Sequence, residues 1–188
     1  VACSPAGPFP AYRHRTSIRR FAKTPLGRRS TPKSRSRAVR VSCIFPGGTN
    51  DTEAWILAVL AKRARLMFEF GTCTGRTAYL WARNSARDAR VVTLTLSAAE
   101  IAAYHREGGD TGSATERAID ESVFVRFYYS DTPCAARVKQ LFGDSKALDE
   151  SPWAGQCDLV FVDGSHARSY VESDSRKALR MVKPGGLV

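Results

Sequence analysis

The chain has 188 residues, 43% of them hydrophobic, enough to bury one core of ordinary size and so to fold as a single domain. Its net charge of +11 would suggest a nucleic-acid partner if spread over a folded face, but residues 1–40 hold 11 of the 29 Lys and Arg and no acid, which leaves 18 basic and 18 acidic side chains in the remainder. No apolar run approaches the roughly 18 residues that span a bilayer. Five cysteines without a Cys-x-x-Cys pair indicate neither a zinc site nor a disulfide framework; a reducing compartment is expected, read here as the cytoplasm.

Residues 1–40 are rich in Arg, Ser and Pro, a composition that cannot order itself around a core. They are expected to form a basic, disordered extension to a domain spanning 41–188. An organelle transit peptide and a basic arm that touches phosphates are the other readings of the same composition. The lack of an initiator Met suggests a processed or partial chain.

Val41–Phe45 reads as a short strand and Pro46–Asn50 as a turn cluster. A helix follows, with Asp51 or Thr52 as its cap, Trp55, Ile56, Val59 and Leu60 at helical spacing, and a basic end at Lys62–Arg65. Leu66–Phe70 is then a short apolar run, Gly71 and Gly75 bracket a polar turn, and apolar residues resume at helical spacing from Thr77 to Ala82. Strand, tight turn and helix in that order bring backbone N–H groups and a helix N-terminus to a ligand. Glu69 lies at the carboxyl end of the strand, where open parallel sheets bind small molecules.

Val91–Leu96 is a β-branched run that predicts a second strand. Ser97 and Glu100 form a capping box for a helix over Ala98–Arg106. Residues 107–121 are polar, and the aromatic-dense stretch Ser122–Ser130 is expected as a buried edge strand or lid. Ala136–Phe142 predicts a third strand leading into Gly143-Asp144-Ser145, where Asp144 is either a turn residue or a ligand contact. Cys157–Val162 is the clearest buried strand and delivers Asp163-Gly-Ser-His166 at its carboxyl end. A helix over Arg168–Val182 follows, with Val171, Ala178, Leu179 and Val182 as the buried stripe and His166, Tyr170 and Asp174 four apart. Lys183-Pro-Gly-Gly186 should break it, with Leu187-Val188 beginning a fifth strand.

Glu69-x-Gly71-x-x-x-Gly75 departs from the Gly-x-Gly-x-x-Gly pattern of dinucleotide sites. It resembles motif I of the class I S-adenosylmethionine-dependent methyltransferases, and Gly143-Asp144-Ser145, the Asp158–His166 strand and Lys183–Gly186 follow in the order and spacing of that family. The bacterial group with Glu-x-Gly-Thr and Asp-Gly-x-His motifs is the most similar. The resemblance implies an α/β fold, a Rossmann-like doubly wound and mostly parallel sheet of order 3-2-1-4-5 with helices on both faces. Strands 6 and 7 of that fold would be missing, and little activity is expected of a sheet cut short there.

The resemblance implies methyl transfer from S-adenosylmethionine to a small acceptor, with an oxygen expected as the acceptor atom, and Glu69, Gly71, Thr72, Gly75, Thr95, Asp144 and Asp163 holding the cofactor. Thr95 stands near the place where many members carry a ribose-binding acid. Asp163 and His166 are the candidate catalytic residues. Asp163 is also the candidate ligand for a divalent metal such as Mg in the complete protein, with no tightly bound metal expected in this 188-residue chain. Asp163 as a plain helix cap is the alternative. A bulky residue at Gly71 is expected to abolish cofactor binding in a protein that stays folded. An RNA methyltransferase or RNA-binding protein using residues 1–40, and a Rossmann-like enzyme without methyl transfer, remain the competing functions. No membrane partner is expected.

Overall fold

The computed structural model describes residues 49–188 apart from Ala98. The strand expected over Val41–Phe45 and the basic segment 1–40 lie outside the described residues. The first helix, α1 (Asp51–Ala61), is capped by Asn50 in place of Asp51 or Thr52: the Asn50 side chain accepts from the Glu53 N–H at 2.9 Å and the Glu53 carboxylate accepts from the Asn50 N–H at 2.9 Å. This reciprocal box satisfies two N–H groups that the helix cannot.

The face α1 buries also differs from the expectation. Ala54, Leu57, Ala58 and Ala61 are buried, whereas Trp55 is 58% exposed and Ile56 and Val59 are exposed with it. The mostly small buried side chains let α1 pack closely on α2 (Arg76–Asn84), so size as well as apolarity selects the inward face.

Five parallel strands, β1 (Leu66–Phe70), β2 (Arg90–Thr95), β3 (Val138–Phe142), β4 (Cys157–Val162) and β5 (Val182–Leu187), form one sheet in the order β3-β2-β1-β4-β5. The order is the expected one. Strand alternation divides the core in two. Met67, Val91 and Leu159 pack with α1 and α2 residues such as Leu57, Ala61, Ala78 and Trp81 on one face. Phe68, Phe70, Val92 and Val160 pack with Ala178 and Met181 of α4 (Arg168–Met181) on the other. At the amino ends the Asp158 carboxylate accepts from the N–H groups of Arg65 and Leu66 at 2.7 and 2.9 Å and pairs with Lys183, tying together the starts of three strands.

The segment after β2 departs most from the sequence reading. The helix expected over 98–106 is one 3-10 turn, Ile101–Ala103. The Ser97 hydroxyl donates to the Glu100 carboxylate at 2.8 Å and so does not cap the Glu100 N–H, which bonds the Ser97 carbonyl at 2.9 Å. A helix forms later, α3 (Gly112–Asp120), capped by Thr111. Only Ala118 of it is buried, which is why its sequence carries so little apolar signal. The aromatic stretch 122–130 is a loop and not a strand, with the Phe127 and Tyr129 rings stacked at 5.3 Å and both buried.

The end of the chain is corrected as well. Tyr170, Asp174, Lys177, Ala178 and Met181 form the buried stripe of α4, while Val171 is exposed and Leu179 is 68% exposed. Lys183-Pro-Gly-Gly186 lies inside β5, whose pairing with β4 is irregular between Cys157 and Leu159. A proline fits a sheet at an edge strand, as β5 is here.

Trp81 is the largest fully buried side chain, edge-on to Phe161 at 6.3 Å, and its indole N–H has no hydrogen-bond partner. Trp81→Ala should cost about 3–5 kcal/mol in denaturant unfolding. Trp81→Phe should cost clearly less, because no hydrogen bond is lost with the indole.

Candidate functional site

The turn between β1 and α2 is shaped by its neighbours in the chain. Gly71 has φ of +96° and donates its N–H to the Leu94 carbonyl at 2.8 Å. A Cβ on Gly71 would fall on the backbone carbonyl of Asp163. Gly75, the N-cap of α2 at φ +75°, lies under the aromatic loop: a Cβ there would stand 2.8 Å from the Phe127 Cβ and 2.9 Å from the Tyr129 ring. The Tyr128 N–H fastens that loop to the Thr74 carbonyl at 3.0 Å. Cys73, between the two glycines, holds φ of +43°, and burial pushes its thiol up to about 11.

A cleft opens at the carboxyl ends of the strands. Gly71 and Cys73 line it after β1, Thr95 and Leu96 at the end of β2, Gly143 and Ser145 after β3, Asp163–Ser165 after β4, and Tyr170 and Asp174 from α4. Tyr104, Ala118, Glu121 and Ser122 reach in from the segment that follows β2 and leave about 50 Å³, room for a few waters. A smaller cavity of about 10 Å³, lined by Glu69, Thr72, Thr74 and Thr77, shares Gly71, Cys73 and Asp163 with the cleft. The two are adjoining ends of one site.

Of the residues singled out in the sequence, Gly71, Thr95 and Asp163 lie on the cleft, and Glu69 and Thr72 on the smaller cavity. Glu69 is 1% exposed, and its carboxylate accepts from the Thr93 hydroxyl at 2.6 Å. That hydroxyl is 2.8 Å from the Thr72 hydroxyl, which accepts from the Gln140 side chain at 3.0 Å; Gln140 in turn accepts from the Tyr129 hydroxyl. A buried polar chain thus runs beneath the turn from β1 to the aromatic loop. Burial raises the Glu69 carboxyl to about 8, with Thr93 opposing and Asp163 adding to the rise. Burial also raises Asp163 to about 6, helped by the charges of Glu121 and Glu53.

Asp163 does not cap α4. The N-cap is Ala167, with no side-chain bond, and the Ala167 N–H is met by the Ser165 hydroxyl at 3.1 Å. His166 is exposed at the rim, two residues before α4 begins, so it does not share the buried face of Tyr170 and Asp174. It is close enough to Glu121 to oppose the rise that burial gives that carboxyl. Asp144 serves the turn after β3: its carboxylate accepts from the Lys146 N–H at 2.9 Å and from the Tyr170 hydroxyl at 3.2 Å. Gly75 packs on the loop and lines neither cavity.

Among the described residues, no three His, Cys, Asp or Glu side chains come together to hold a metal ion. Among these residues Asp163 thus has no cluster of such side chains beside it to complete a metal site.

Tyr104, Tyr170, Asp174 and Glu121 were not recognised in the sequence as site residues. The four-residue spacing of Tyr170 and Asp174 was visible. Nothing local marks Tyr104 or Glu121, which are brought in by long-range folding of the segment after β2.

A parallel sheet of order 3-2-1-4-5 with helices on both faces and a cleft at the strand ends is the Rossmann-like fold of class I methyltransferases. Residues 68–188 match the model of the methyltransferase domain family, and the chain belongs to that family. Among solved structures, the chain is similar to cofactor-bound Rv0187 from MTB, with 22% identity and a TM-score of 0.51 over 74% of this chain and 55% of that one. It is also similar to the O-methyltransferase TomG from Streptomyces achromogenes in complex with SAM, at 23% identity and a TM-score of 0.48 over 74% and 55%. A third is the O-methyltransferase from Bacillus cereus in complex with SAH, at 22% identity and 0.47 over 73% and 55%. The chain spans little more than half the length of these proteins. No curated protein matches it.

Proposed function

We propose that this protein transfers a methyl group from S-adenosylmethionine to an oxygen of a small-molecule acceptor, with the cofactor lying across the strand ends. The observation that carries the reading is a pair of acids, the buried Glu69 and the half-buried Asp163, on either side of Gly71 at the junction of the two cavities. Two carboxyls raised by burial are poised to gain most from a cationic ligand, and S-adenosylmethionine brings an ammonium and a sulfonium whose methyl is open to in-line attack. Family membership supports the same chemistry.

In this reading Glu69 faces the ammonium, the Gly71 turn gives close backbone approach, and Thr95 meets the ribose. Asp163 faces the acceptor, takes the proton of its hydroxyl and holds its oxygen in line. His166, at the rim, assists that proton transfer. Among the described residues no helix is long and apolar enough to cross a membrane.

The test is transfer of labelled methyl from S-adenosylmethionine to a panel of phenols and carboxylic acids. Asp163→Asn should lower kcat by about 100-fold or more, the scale of a lost general base, with little change in cofactor affinity. An unchanged rate would remove Asp163 from the chemistry.

A further inference from the structure

Beneath the turn, the side chains of Tyr129, Gln140, Thr72, Thr93 and Glu69 are joined in one line, and the direction of its bonds is fixed from the Gln140 end. The Gln140 amide nitrogen bonds the Leu141 carbonyl at 2.8 Å. A carbonyl only accepts, so the amide nitrogen, and not its oxygen, must face that side. The second amide hydrogen goes to the Thr72 hydroxyl at 3.0 Å, and the amide oxygen accepts from the Tyr129 hydroxyl. At the other end Thr93 gives its single hydrogen to the Glu69 carboxylate at 2.6 Å, which leaves Thr72 as the donor in the 2.8 Å bond between the two hydroxyls.

Every donor in the line therefore points towards Glu69. Such a chain polarises its bonds in one sense and ends on a group that must accept, as an ionised carboxylate does. A proton on the oxygen facing Thr93 would bring a second hydrogen into that bond, and a hydroxyl would have to turn away. Thr72, Thr93 and Tyr129 are buried, so a hydroxyl turned out of line meets little solvent. The chain thus opposes the burial that pushes the Glu69 carboxyl up to about 8. The other titratable or charged groups around Glu69 are Asp163 past β4, Cys73 in the turn and Arg76 on α2, and none of them belongs to the line. The Thr77 hydroxyl of α2 bonds the same carboxylate from outside it. Tyr129 carries the line into the aromatic loop, where its ring lies against Gly75.

We propose that Gln140 is a positioning residue for the cofactor: by setting the direction of this chain it holds Glu69 as an acceptor for the ammonium of S-adenosylmethionine. The inference rests on the reading of the cavities as a methyl-donor site. Gln140 lies on β3, lines neither cavity and acts through Thr72 and Thr93. Leucine in its place would leave Thr72 without a fixed donor and both threonine hydroxyls free to turn from the carboxylate.

The test compares the wild type, Gln140→Leu, Glu69→Gln and the double variant, each as the whole chain. Without ligand, melting temperatures read the carboxyl. Loss of the chain should raise the folded-state titration of Glu69 further above its unfolded value, by about half a unit or more, so that more stability is lost as pH rises. The gap between wild type and Gln140→Leu should therefore widen from about pH 6.5 to about pH 9, and should stay constant in the Glu69→Gln background. With S-adenosylmethionine at pH 7, Gln140→Leu should weaken binding about threefold or more, the equivalent of that shift, and should add no loss to Glu69→Gln. A variant that lowers stability and affinity equally in both backgrounds would overturn the positioning role, because a packing fault does not depend on Glu69. Thr72→Val breaks the line at another point, and Thr72→Ser keeps the hydroxyl, so the first should reproduce the widening gap and the second should not. Equal behaviour of these two would overturn the chain even if Gln140→Leu failed to fold. A folded wild type that bound no S-adenosylmethionine, with the widening gap intact, would instead sink the reading of the cavities, and this inference with it.

Discussion

Gly71→Val is expected to destabilise the protein by about 4 kcal/mol or more, a loss large enough to abolish cooperative unfolding at ordinary temperature. Two costs combine. The residue sits at φ of +96°, which a β-branched side chain adopts only under strain, and its Cβ would fall on the Asp163 carbonyl. That neighbour is backbone, fixed by the bond from the Asp163 N–H to the Phe70 carbonyl at 2.8 Å, so it cannot swing aside as a side chain would. The sequence suggested a variant that folds but fails to bind its ligand. The packing says that turn and fold are lost together, and urea unfolding of Gly71→Val beside Gly71→Ala measures it. A well-folded valine variant would show that the β1 and β4 loops can separate.

Glu69→Gln should stabilise the protein above neutral pH. The carboxyl titrates near its ordinary value of 4.5 when unfolded and at about 8 when folded, so between these values the folded state binds more protons. Stability is then highest below 4.5 and falls as pH rises through 8, by at most about 1.4 kcal/mol per unit. Asp163 and Asp174, each raised to about 6 mainly by burial, add the same sign below neutral pH. Glutamine keeps the acceptor for the Thr93 hydroxyl and cannot ionise. The melting temperature of Glu69→Gln should therefore exceed that of the wild type at pH 8.5, with a flatter profile between pH 6.5 and 9. Parallel profiles would mean that Glu69 is solvated well enough to stay charged.

The strands were legible because period and chemistry agreed, and their order was implied by the resemblance to the methyltransferase family. Leu66–Phe70 and Cys157–Val162 are mostly apolar on both faces, as buried parallel strands are, and carry an acid near the carboxyl end, Glu69 within the first and Asp163 just past the second. What was not legible depended on partners distant in the chain. Trp55, Ile56 and Val59 have the right spacing for a buried stripe, but Ala54, Leu57, Ala58 and Ala61 fit α2 more closely. The Ser97 and Glu100 pair has the letters of a capping box, yet the hydroxyl donates to the carboxylate and only one 3-10 turn forms. Gly75 looked like a ligand-binding glycine and is required by Phe127 and Tyr129, more than fifty residues away. In the site, Asp163 and Gly71 could be found from the strand ends alone. Of Asp174 the sequence shows only its helical spacing from Tyr170, because charge in a sequence does not say which turn of a helix faces a cleft.

In the proposed function the two adjoining cavities bind a cationic methyl donor beside Glu69. Titration of the protein with S-adenosylmethionine at pH 7, in two buffers of different ionisation enthalpy, tests it most directly. A cation next to a carboxyl raised to about 8 favours its ionised form, so binding at one site should release a proton, and Glu69→Gln should bind without that release. A folded protein that took up no S-adenosylmethionine, or one that bound it with the same proton balance in wild type and Glu69→Gln, would contradict the account.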